Sequence, residues 1–418
     1  MLSLTRHLQA ILSSKVNKFF SSRSSIRLGE SSLDKSQGEL SNNNKTTILQ
    51  TPIRFYPSIG GVENHVYYLS KELVNNGNFV KVICANEPQS NNRNIHAIAV
   101  ERLAYLFKIT NTNITFSLPL RILRSHFDVI HTHMPTPWSA DWSVLIAKIM
   151  KKRSIITIHN DMDKTDFLGK IVTKVYLFTL FKLTLTFVNK IIIVNPDWEN
   201  SFNSTKKLLT PYKKKISVIP NGIDLSLFKK NDRSSAKKNN LLFISILDKH
   251  HKFKGLDYLL QSLKIVKNDF PDIELIVIGE GELKKYYQQK TKLLGLNDNV
   301  RFIGEMKQED LVSYYNTASL FILPSTEIEG FGIVLLEAMA CTVPVIATSI
   351  VGTSSDIKKY NTGLVVEPKN TEDLAKAITA IINNPTLAKT MGSNGRNLVE
   401  EKYDWRKIAK QVERLYTV

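Results

Sequence analysis

Short apolar runs alternate with longer segments of helical spacing from Thr46 almost to the end of the chain. Each short run fits a buried strand, and each longer segment, such as Val62–Asn75, fits a helix with one apolar face. This alternation predicts an α/β protein with two Rossmann-like, doubly wound parallel sheets and a ligand cleft at the carboxyl ends of the strands. The predicted strands form two series: Thr47–Gln50, Phe79–Cys84, Val129–His131, Ile155–Ile158, Ile191–Val194 and Ile216–Ile219, then Leu241–Leu247, Glu274–Ile278, Val300–Ile303, Leu320–Leu323 and Val343–Ala347.

The chain divides where this pattern changes. Pro220-Asn221-Gly222 interrupts the first series, and a polar, lysine-rich stretch at residues 229–240 precedes the second. We therefore expect an N-terminal domain, a C-terminal domain and a final helix around Trp405–Tyr416. Residues 1–45 are rich in Ser, Asn and Lys/Arg and predict a basic, disordered extension; a transit peptide, a basic membrane-surface tail and an upstream start codon are the alternatives. The predicted bounds are 1–45 for the extension, 46–224 and 225–400 for the domains, and 401–418 for the helix.

Charge is distributed unevenly along the chain. The formal net charge is +18 over 418 residues, and residues 46–230 carry 24 Lys/Arg against 12 Asp/Glu. A basic N-terminal half indicates an anionic partner, such as an acidic membrane surface, a phosphorylated acceptor or nucleic acid. Cys84 and Cys341 lie far apart in apolar surroundings, which is typical of small core residues in a reducing compartment.

Residues 329–347 carry most of the information about function. Glu329 and Glu337 flank Gly330 and Gly332, where a loop leads into an apolar stretch at helical spacing. Glycines before a helix let the backbone approach a ligand, and the N–H groups at a helix start favour an anion. Carboxylates accept hydrogen bonds from hydroxyl groups. The segment therefore indicates a site for a phosphorylated, hydroxyl-rich molecule; the alternative is a buried helix face flanked by solvated charges.

This string resembles the donor-site motif of the family 4 retaining glycosyltransferases, which have the GT-B fold. The resemblance implies that Glu329 contacts the donor sugar as a catalytic residue and that Glu337 holds the nucleotide ribose. It also implies donor-binding roles for Phe331, Gly332 and Ile333, the last two through backbone N–H groups that face phosphate. In a protein of this fold, the final helix crosses back onto the first domain.

Three further motifs agree with this family. Gly60-Gly61 precedes the first helix and resembles the family's glycine loop, where the donor diphosphate or the acceptor approaches backbone N–H groups. His159 ends a strand at the position of the family's active-site histidine, which contacts the donor sugar or its phosphate; a hydrogen-bonded structural histidine is the alternative. Lys254, followed by a glycine, matches a family cation that offsets the charge of the leaving diphosphate.

The chain departs from the family pattern at two positions. Ile246 stands where the family commonly has an arginine that helps to hold the diphosphate. A second cation must then come from elsewhere, and Lys249 and Lys252 are candidates. Thr342 replaces a family glycine where the chain turns from helix into strand, so we expect an effect on backbone geometry more than on chemistry. We take neither departure as a loss of activity.

The sequence predicts no metal and no resident cofactor. His131 and His133 resemble the family's His-x-His strand end, and we expect their side chains on opposite sides of the strand, which would prevent a shared metal. Asp161-Met162-Asp163 has the spacing of a diphosphate-anchoring metal motif in the other glycosyltransferase fold, but here we expect a solvated loop or an acceptor-side element. Gly279-Glu280-Gly281 lacks the third glycine of a dinucleotide-binding motif, which disfavours NAD.

Phe167–Val188 combines many apolar residues with lysines at positions 170, 174 and 182, and Lys190 follows closely. It fits either a core-packing pair of helix turns or an interfacial helix with an apolar side and a lysine fringe. The second interpretation would place the protein on an anionic membrane surface.

Together these features predict metal-independent transfer of a hexose from a nucleotide diphosphate sugar to a hydroxyl acceptor on a lipid, glycan or small molecule, with retention of anomeric configuration. We expect a cytoplasmic protein, peripheral on the inner face of the membrane, that acts in glycan biosynthesis and binds no nucleic acid. The alternatives are a non-catalytic GT-B protein that binds an anionic polymer or membrane, and a nucleotide-sugar epimerase. The donor base, the sugar and the acceptor stay open.

Overall fold

The computed structural model describes residues 45–58, 60–109, 112–135, 137–162, 167–231 and 239–417. These residues belong to one compact unit, Lys45–Val418. Except for Lys45, the predicted extension over residues 1–45 lies outside the described residues.

The described part of the first half contains ten strands: β1 Thr47–Thr51, β2 Phe79–Ala85, β3 Asn94–Ile95, β4 Ile98–Leu103, β5 Lys108–Ile109, β6 Thr112–Asn113, β7 Val129–Met134, β8 Arg153–Ile158, β9 Lys190–Ile193 and β10 Ile216–Val218. Eight of these described strands form one sheet in the order β10-β9-β8-β7-β1-β2-β4-β3, where β3 is antiparallel to β4 and the other pairs are parallel. The neighbours Ile48 and Leu49 in β1 belong to two different core clusters. Both faces of the sheet are therefore packed, as expected for a parallel sheet.

Helices connect these strands and supply the packing on both faces. A π-helical turn, Leu177–Phe181, joins the helices Phe167–Tyr176 and Lys182–Phe187, and a 3₁₀ helix, Thr210–Lys215, precedes β10. None of the helices in the described ranges has the length and apolar character needed to cross a membrane. The helices of this half are α1 Gly61–Asn75, α2 Leu118–Arg124, α3 Ser139–Ile149, α4 Phe167–Tyr176, α5 Lys182–Phe187, α6 Trp198–Ser201 and α7 Lys206–Leu209.

The second half carries a parallel sheet, for which the described residues supply six strands: β11 Asn240–Ile244, β12 Glu274–Ile278, β13 Val300–Gly304, β14 Leu320–Leu323, β15 Val345–Thr348 and β16 Gly363–Val366. Their order is β13-β12-β11-β14-β15-β16. A 3₁₀ helix, Lys249–Lys254, follows β11. The α-helices are α8 Leu256–Val266, α9 Lys284–Leu293, α10 Gln308–Thr317, α11 Ile333–Ala340, α12 Ser354–Lys359, α13 Thr371–Ile382, α14 Pro385–Lys402 and α15 Trp405–Thr417.

The final helix, α15, packs on the first half of the chain. Its apolar residues, among them Trp405, Ile408 and Val412, belong to the same core cluster as Ile48 of β1 and Val66 of α1. The predicted crossing of the last helix onto the first domain is therefore confirmed. Two doubly wound sheets, one in each half, confirm the predicted fold class.

The sequence pattern missed the strands β4 and β16 and misplaced the start of β15. β4 includes Glu101 and Arg102 and β16 begins with a glycine, so neither has the continuous apolar run of a central strand. The strand predicted from Val343 begins instead at Val345, because Pro344 has no N–H group to donate to a neighbouring strand.

Thr342 turns the chain between α11 and β15 with a φ of +63°. This left-handed conformation costs a residue with a side chain about 1–2 kcal/mol, and glycine avoids most of that cost. The structure thus agrees with the predicted backbone role of this position.

We expect Thr342→Gly to raise the free energy of unfolding by about 1 kcal/mol, because relief of the strained φ outweighs the extra freedom of glycine in the unfolded chain. Urea denaturation followed by circular dichroism measures this change. Thr317→Gly, at the end of α10, is the matched control and should lower stability by a few tenths to about 1 kcal/mol. A neutral or destabilising Thr342→Gly would contradict the interpretation.

Candidate active site

Two loops, one from each half, touch at the carboxyl ends of the two sheets. His159 and Asn160 follow β8, and Glu329 and Gly330 lie in the loop after β14. A Cβ built on Gly330 would lie 1.7 Å from Asn160 Oδ1 and 3.3 Å from the carbonyl oxygen of His159. Because glycine has no Cβ, the loops can make this contact. It brings the backbones of the two predicted catalytic residues to one place in the cleft.

Lys254 and Glu329 form an ion pair within this cleft. Lys254 ends the 3₁₀ helix after β11, and its side chain is 17% exposed against 13% for Glu329. Gly255 has a φ of +82°, and a Cβ there would lie 1.9 Å from the carbonyl oxygen of Pro324. This close backbone approach holds the end of the 3₁₀ helix against the loop that carries Glu329. The predicted diphosphate cation and the predicted sugar-binding carboxylate therefore neutralise each other.

Gly332 begins α11 with a φ of +79°, in the left-handed region that favours glycine. The helix starts at Ile333, so its first N–H groups have no partner inside the helix and can bind an anion. Phe331 is buried and packs edge-on against Tyr403 at a ring-centroid distance of 5.7 Å. Its side chain is thus part of the core, which leaves only its backbone for the predicted donor contact.

The predicted glycine loop begins α1. Gly60 is extended, and a Cβ there would lie 2.3 Å from Glu63 Oε2, whereas nothing lies within 4 Å of a Cβ on Gly61. The Glu63 carboxylate in turn accepts from Arg54 Nε at 3.1 Å. A side chain at position 60 would therefore displace the Glu63 carboxylate, and Gly61 presents an open backbone surface at the start of the helix.

Glu337 is buried in α11 and accepts a hydrogen bond from Tyr315 Oη at 2.6 Å. Gln308 also hydrogen-bonds this carboxyl group, and Tyr68 of the first half donates to Gln308 Oε1 at 2.9 Å. Burial raises the pKa of Glu337 to about 7, although the hydrogen bonds from Tyr315 and Gln308 lower it. The predicted ribose-binding residue is therefore linked through Gln308 to the other half of the molecule.

Four buried histidines line the first-half side of the cleft. Nδ1 of His133 lies 3.2 Å from Nε2 of His159, and the rings of His131 and His133 stack at 4.6 Å. The ring of His65 meets that of His159 edge-on at 4.6 Å. Burial lowers the pKa of His65 to about 4 and that of His131 to about 3, and it holds the pKa values of His133 and His159 well below the usual range. These imidazoles are neutral at physiological pH.

The expected opposite placement of His131 and His133 is wrong. Alternate residues of a strand project from the same face, and the two rings accordingly stack on one side of β7. This spacing therefore does not prevent the two histidines from sharing a metal.

Asp161 is also placed differently from expectation. Its carboxylate accepts hydrogen bonds from the backbone N–H of Ser204 at 2.7 Å and from N and Oγ1 of Thr205 at 3.1 and 2.7 Å. Asp161 is thus a structural anchor for the segment before α7 and not a solvated loop residue. Asp163 lies outside the described residues.

Ile246, which stands where the family commonly has an arginine, is 53% exposed. Of the two candidate replacements, Lys249 pairs with Glu282 at 3.7 Å and Lys252 lies over the ring of Tyr286 at 5.6 Å. A second diphosphate cation therefore stays a prediction without an assigned residue.

Sequence reasoning missed His65, Tyr68 and Gln308. Each is a single polar residue on a helix with otherwise regular spacing, so no local motif marks it. One signal was available for His65, because it lies one turn after Gly61 in a helix that begins at the cleft. Contacts between the two halves, such as that of Tyr68 with Gln308, have no counterpart in a local pattern.

Solved structures share this architecture. HepE from Anabaena in complex with UDP is 20% identical, with a TM-score of 0.71, over 89% of this chain and all of that chain. Sucrose-phosphate synthase from Thermosynechococcus elongatus is 23% identical, with a TM-score of 0.69, over 89% of this chain and 98% of that one. These likenesses show that the chain has the GT-B glycosyltransferase fold.

Family models match two adjoining parts of the chain. The model described as Glycosyltransferase Family 4 matches residues 59–227, and that of Glycosyl transferases group 1 matches residues 227–398. The chain therefore belongs to glycosyltransferase family 4, as its motifs predicted.

Curated relatives are matched over most of their own length. The GPI3 subunit of phosphatidylinositol N-acetylglucosaminyltransferase from Saccharomyces cerevisiae is 27% identical over 376 residues, which are 87% of this chain and 81% of the relative. A Homo sapiens subunit of the same transferase name is also 27% identical, over 87% of this chain and 74% of its own. The alternatives of a non-catalytic binding protein and an epimerase are not favoured by these relatives.

The raised pKa of Glu337 predicts a pH-dependent stability. The folded state holds this proton more tightly than the unfolded state, so the stabilisation is complete below the ordinary carboxyl pKa of 4.5 and is lost as the pH rises through about 7. Between pH 4.5 and pH 8, the unfolding free energy of the wild type should therefore fall by about 3 kcal/mol relative to that of Glu337→Gln, which has no carboxyl group to titrate at this position.

Urea denaturation at a series of pH values measures this difference. Glu309→Gln replaces an exposed glutamate on α10 and should show no comparable shift. A constant difference between Glu337→Gln and the wild type across this range would contradict the assignment of a protonated, buried carboxyl group.

Proposed function

We propose that this chain transfers a hexose from a nucleotide diphosphate sugar to a hydroxyl acceptor with retention of anomeric configuration. The observation that supports this most directly is the contact between the loop that carries His159 and the loop that carries Glu329, with Lys254 paired to that glutamate. Glycosyl transfer needs groups that orient the sugar and a cation that offsets the leaving diphosphate, and these three side chains supply both.

Each residue has a defined role in this proposal. Glu329 accepts hydrogen bonds from donor-sugar hydroxyls, and His159 orients the same sugar while an oxocarbenium-like centre develops. Lys254 exchanges its contact with Glu329 for a diphosphate oxygen and stabilises the departing charge. Glu337 holds the ribose. Backbone N–H groups complete the diphosphate site. They belong to Gly332 and Ile333 at the start of α11 and to Gly60 and Gly61 in the glycine loop.

We propose that this step needs no metal ion. The ammonium of Lys254 and the N–H groups at the start of α11 can offset the charge that a divalent cation offsets in other transferases. The carboxylate of Asp161 is engaged by backbone and hydroxyl donors, which supports a structural role in place of metal binding.

A membrane lipid is the acceptor class that fits this chain best. Large apolar side chains are exposed in two groups on the first half, and such patches typically mark contact with a membrane or a partner. Lys174 and Lys182 are exposed on the helix that carries the second group, which favours an anionic surface. The yeast and human relatives are named for phosphatidylinositol. The exposed residues are Leu106, Phe107, Ile109, Phe116 and Leu120, then Val175, Phe178, Leu180 and Leu183.

The start of α3 lies between these two groups. The ring of Trp138, just before the helix, is 5.7 Å from that of Phe116. Asp141, in the first turn, accepts hydrogen bonds from Tyr176 at 3.1 Å and Thr184 at 2.6 Å. The two segments that carry the exposed groups therefore both contact the start of α3, which supports a single surface that docks peripherally on a bilayer.

Replacing the sugar-binding carboxylate tests the proposed chemistry. A panel of UDP-, GDP- and ADP-sugars, including UDP-N-acetylglucosamine, identifies the donor by thermal shift. With that donor and phosphatidylinositol vesicles, Glu329→Gln should lower turnover about ten- to a hundredfold, since a charged hydrogen bond contributes about 1.5–3 kcal/mol.

Glu327→Gln, an exposed glutamate two residues earlier in the same loop, is the matched control and should keep wild-type turnover. Unchanged turnover in Glu329→Gln would make the assignment wrong. Donor consumption that does not depend on any acceptor would favour an epimerase in place of a transferase.

Vesicle co-sedimentation tests the proposed membrane surface. Phe178→Ser combined with Leu180→Ser should weaken binding to phosphatidylcholine–phosphatidylserine vesicles at least tenfold, because each large apolar side chain contributes about 1.5–3 kcal/mol when buried. Leu293→Ser, which changes a side chain 87% exposed on the second half, should bind as the wild type does. Equal binding by all three proteins would overturn the membrane surface but not the proposed transfer.

A further inference from the structure

Three of the buried histidines converge from separate elements of the first half. His65 lies on α1, His133 on β7, and His159 directly after β8. One ring nitrogen of each lies within 4.8 Å of the corresponding nitrogen of the other two. The three rings thus surround a common point although the residues are far apart in sequence.

The outer nitrogens of two of these rings are fixed by amide oxygens. Nδ1 of His65 lies 2.7 Å from Asn221 Oδ1, and Nε2 of His133 lies 2.9 Å from Gln50 Oε1. A carbonyl oxygen only accepts, so each of these nitrogens carries the proton of its neutral ring. The inner nitrogens, Nε2 of His65 and Nδ1 of His133, therefore present lone pairs. Metal-binding histidines are typically oriented in this way.

The inner side of the cluster has an unsatisfied group. Nε2 of His65 is buried and has no hydrogen-bond partner among the described residues. An unpaired buried acceptor destabilises the fold, so a ligand at this point would recover the lost interaction. Nδ1 of His133 lies 3.2 Å from Nε2 of His159. Two nitrogens that bind one tetrahedral zinc ion at about 2.0–2.1 Å lie about 3.3 Å apart, which matches this separation.

We propose that His65, His133 and His159 form a binding site for a transition-metal dication of the Zn²⁺ class. Imidazole nitrogens suit Zn²⁺, Cu²⁺ and Ni²⁺, whereas Mg²⁺ and Ca²⁺ prefer oxygen ligands. In the metal-bound form the proton of His159 resides on Nδ1, so that Nε2 turns its lone pair to the metal. Three protein ligands leave one tetrahedral position for water.

We expect a metal ion at this site to inhibit the enzyme, and this consequence rests on the proposed function. His159 is the residue assigned to orient the donor sugar. A metal ion bound to its Nε2 prevents the ring from making that contact. The metal ion therefore competes with the nucleotide sugar and inhibits the enzyme, and it takes no part in the transfer step.

Spectroscopic titration tests the site without reference to activity. Chelator-treated protein titrated with CoCl₂ should develop the visible absorption of four-coordinate Co²⁺ and saturate at one ion per chain, and ZnCl₂ should displace it. His65→Gln should weaken binding at least tenfold. His250→Gln, an exposed histidine of the second half, is the matched control and should bind as the wild type does.

A second variant keeps the test decisive if His65→Gln fails to fold. Gln50→Ala leaves all three imidazoles in place but removes the oxygen that orients His133, so it should weaken Co²⁺ binding about ten- to a hundredfold. Absence of the four-coordinate spectrum in the wild type, or equal affinity in the wild type and both variants, would overturn the proposal.

Competition separates this proposal from the proposed function. Zn²⁺ should raise the apparent Kd of the donor for the wild-type protein, measured by thermal shift or calorimetry, but not for His65→Gln, in which His159 is intact. If Zn²⁺ binds without affecting the donor, the sugar contact of His159 is wrong and the metal site stands. If no nucleotide sugar binds at all, the proposed function fails independently of the cobalt result.

Discussion

The packing of Trp405 against Gly222 holds the two halves in the arrangement on which the rest of the structure depends. A Cβ on Gly222 would lie 2.5 Å from the indole ring, so only glycine permits the turn between the halves to pass the first residue of α15. The same ring stacks on Tyr68 at 6.2 Å and meets His65 edge-on at 5.1 Å. Next to it, Lys71 of α1 pairs with Asp224 at 3.2 Å. The interdomain turn, the first helix and the last helix therefore share one contact region beside the site.

Sequence reasoning succeeded where a structural feature depends on local chain geometry. The glycines around Glu329, the lysine–glycine pair at Lys254 and the turn at Thr342 are features of a few consecutive residues, and the structure places them as predicted. The transfer of residue roles from the family stays a prediction, because the structure alone does not test what these side chains bind.

Sequence reasoning failed where side chains from distant parts of the chain contact each other. The neighbours of His159, namely His65 and His133, come from two other elements, and the link from Glu337 to Tyr68 runs between the halves. The error about His131 and His133 was of another kind, because the strand period of two already places alternate residues on one face. Edge strands such as Gly363–Val366 were missed because they lack the apolar run that marks a buried strand.

The candidate site carries little net charge although the chain is strongly basic. Lys254 is paired with Glu329, the histidines are neutral, and the raised pKa of Glu337 leaves that carboxyl group about half protonated near pH 7. The excess of Lys/Arg in the first half therefore acts mainly outside the cleft, where it can attract an anionic surface over a long range. Recognition of the diphosphate depends instead on exchange of ion-pair partners within the site.

The position of α15 also affects how the chain folds during its synthesis. Trp405, Ile408 and Val412 complete the core of the first half, but the ribosome adds them only after the whole second half. Domains commonly fold in order as they emerge, at about 5–20 residues per second. Here the first sheet emerges before α15 exists, so part of its apolar surface stays uncovered until that last helix is synthesised. The nascent chain therefore exposes apolar surface, of the kind that chaperones shield, for as long as the second half takes to be synthesised.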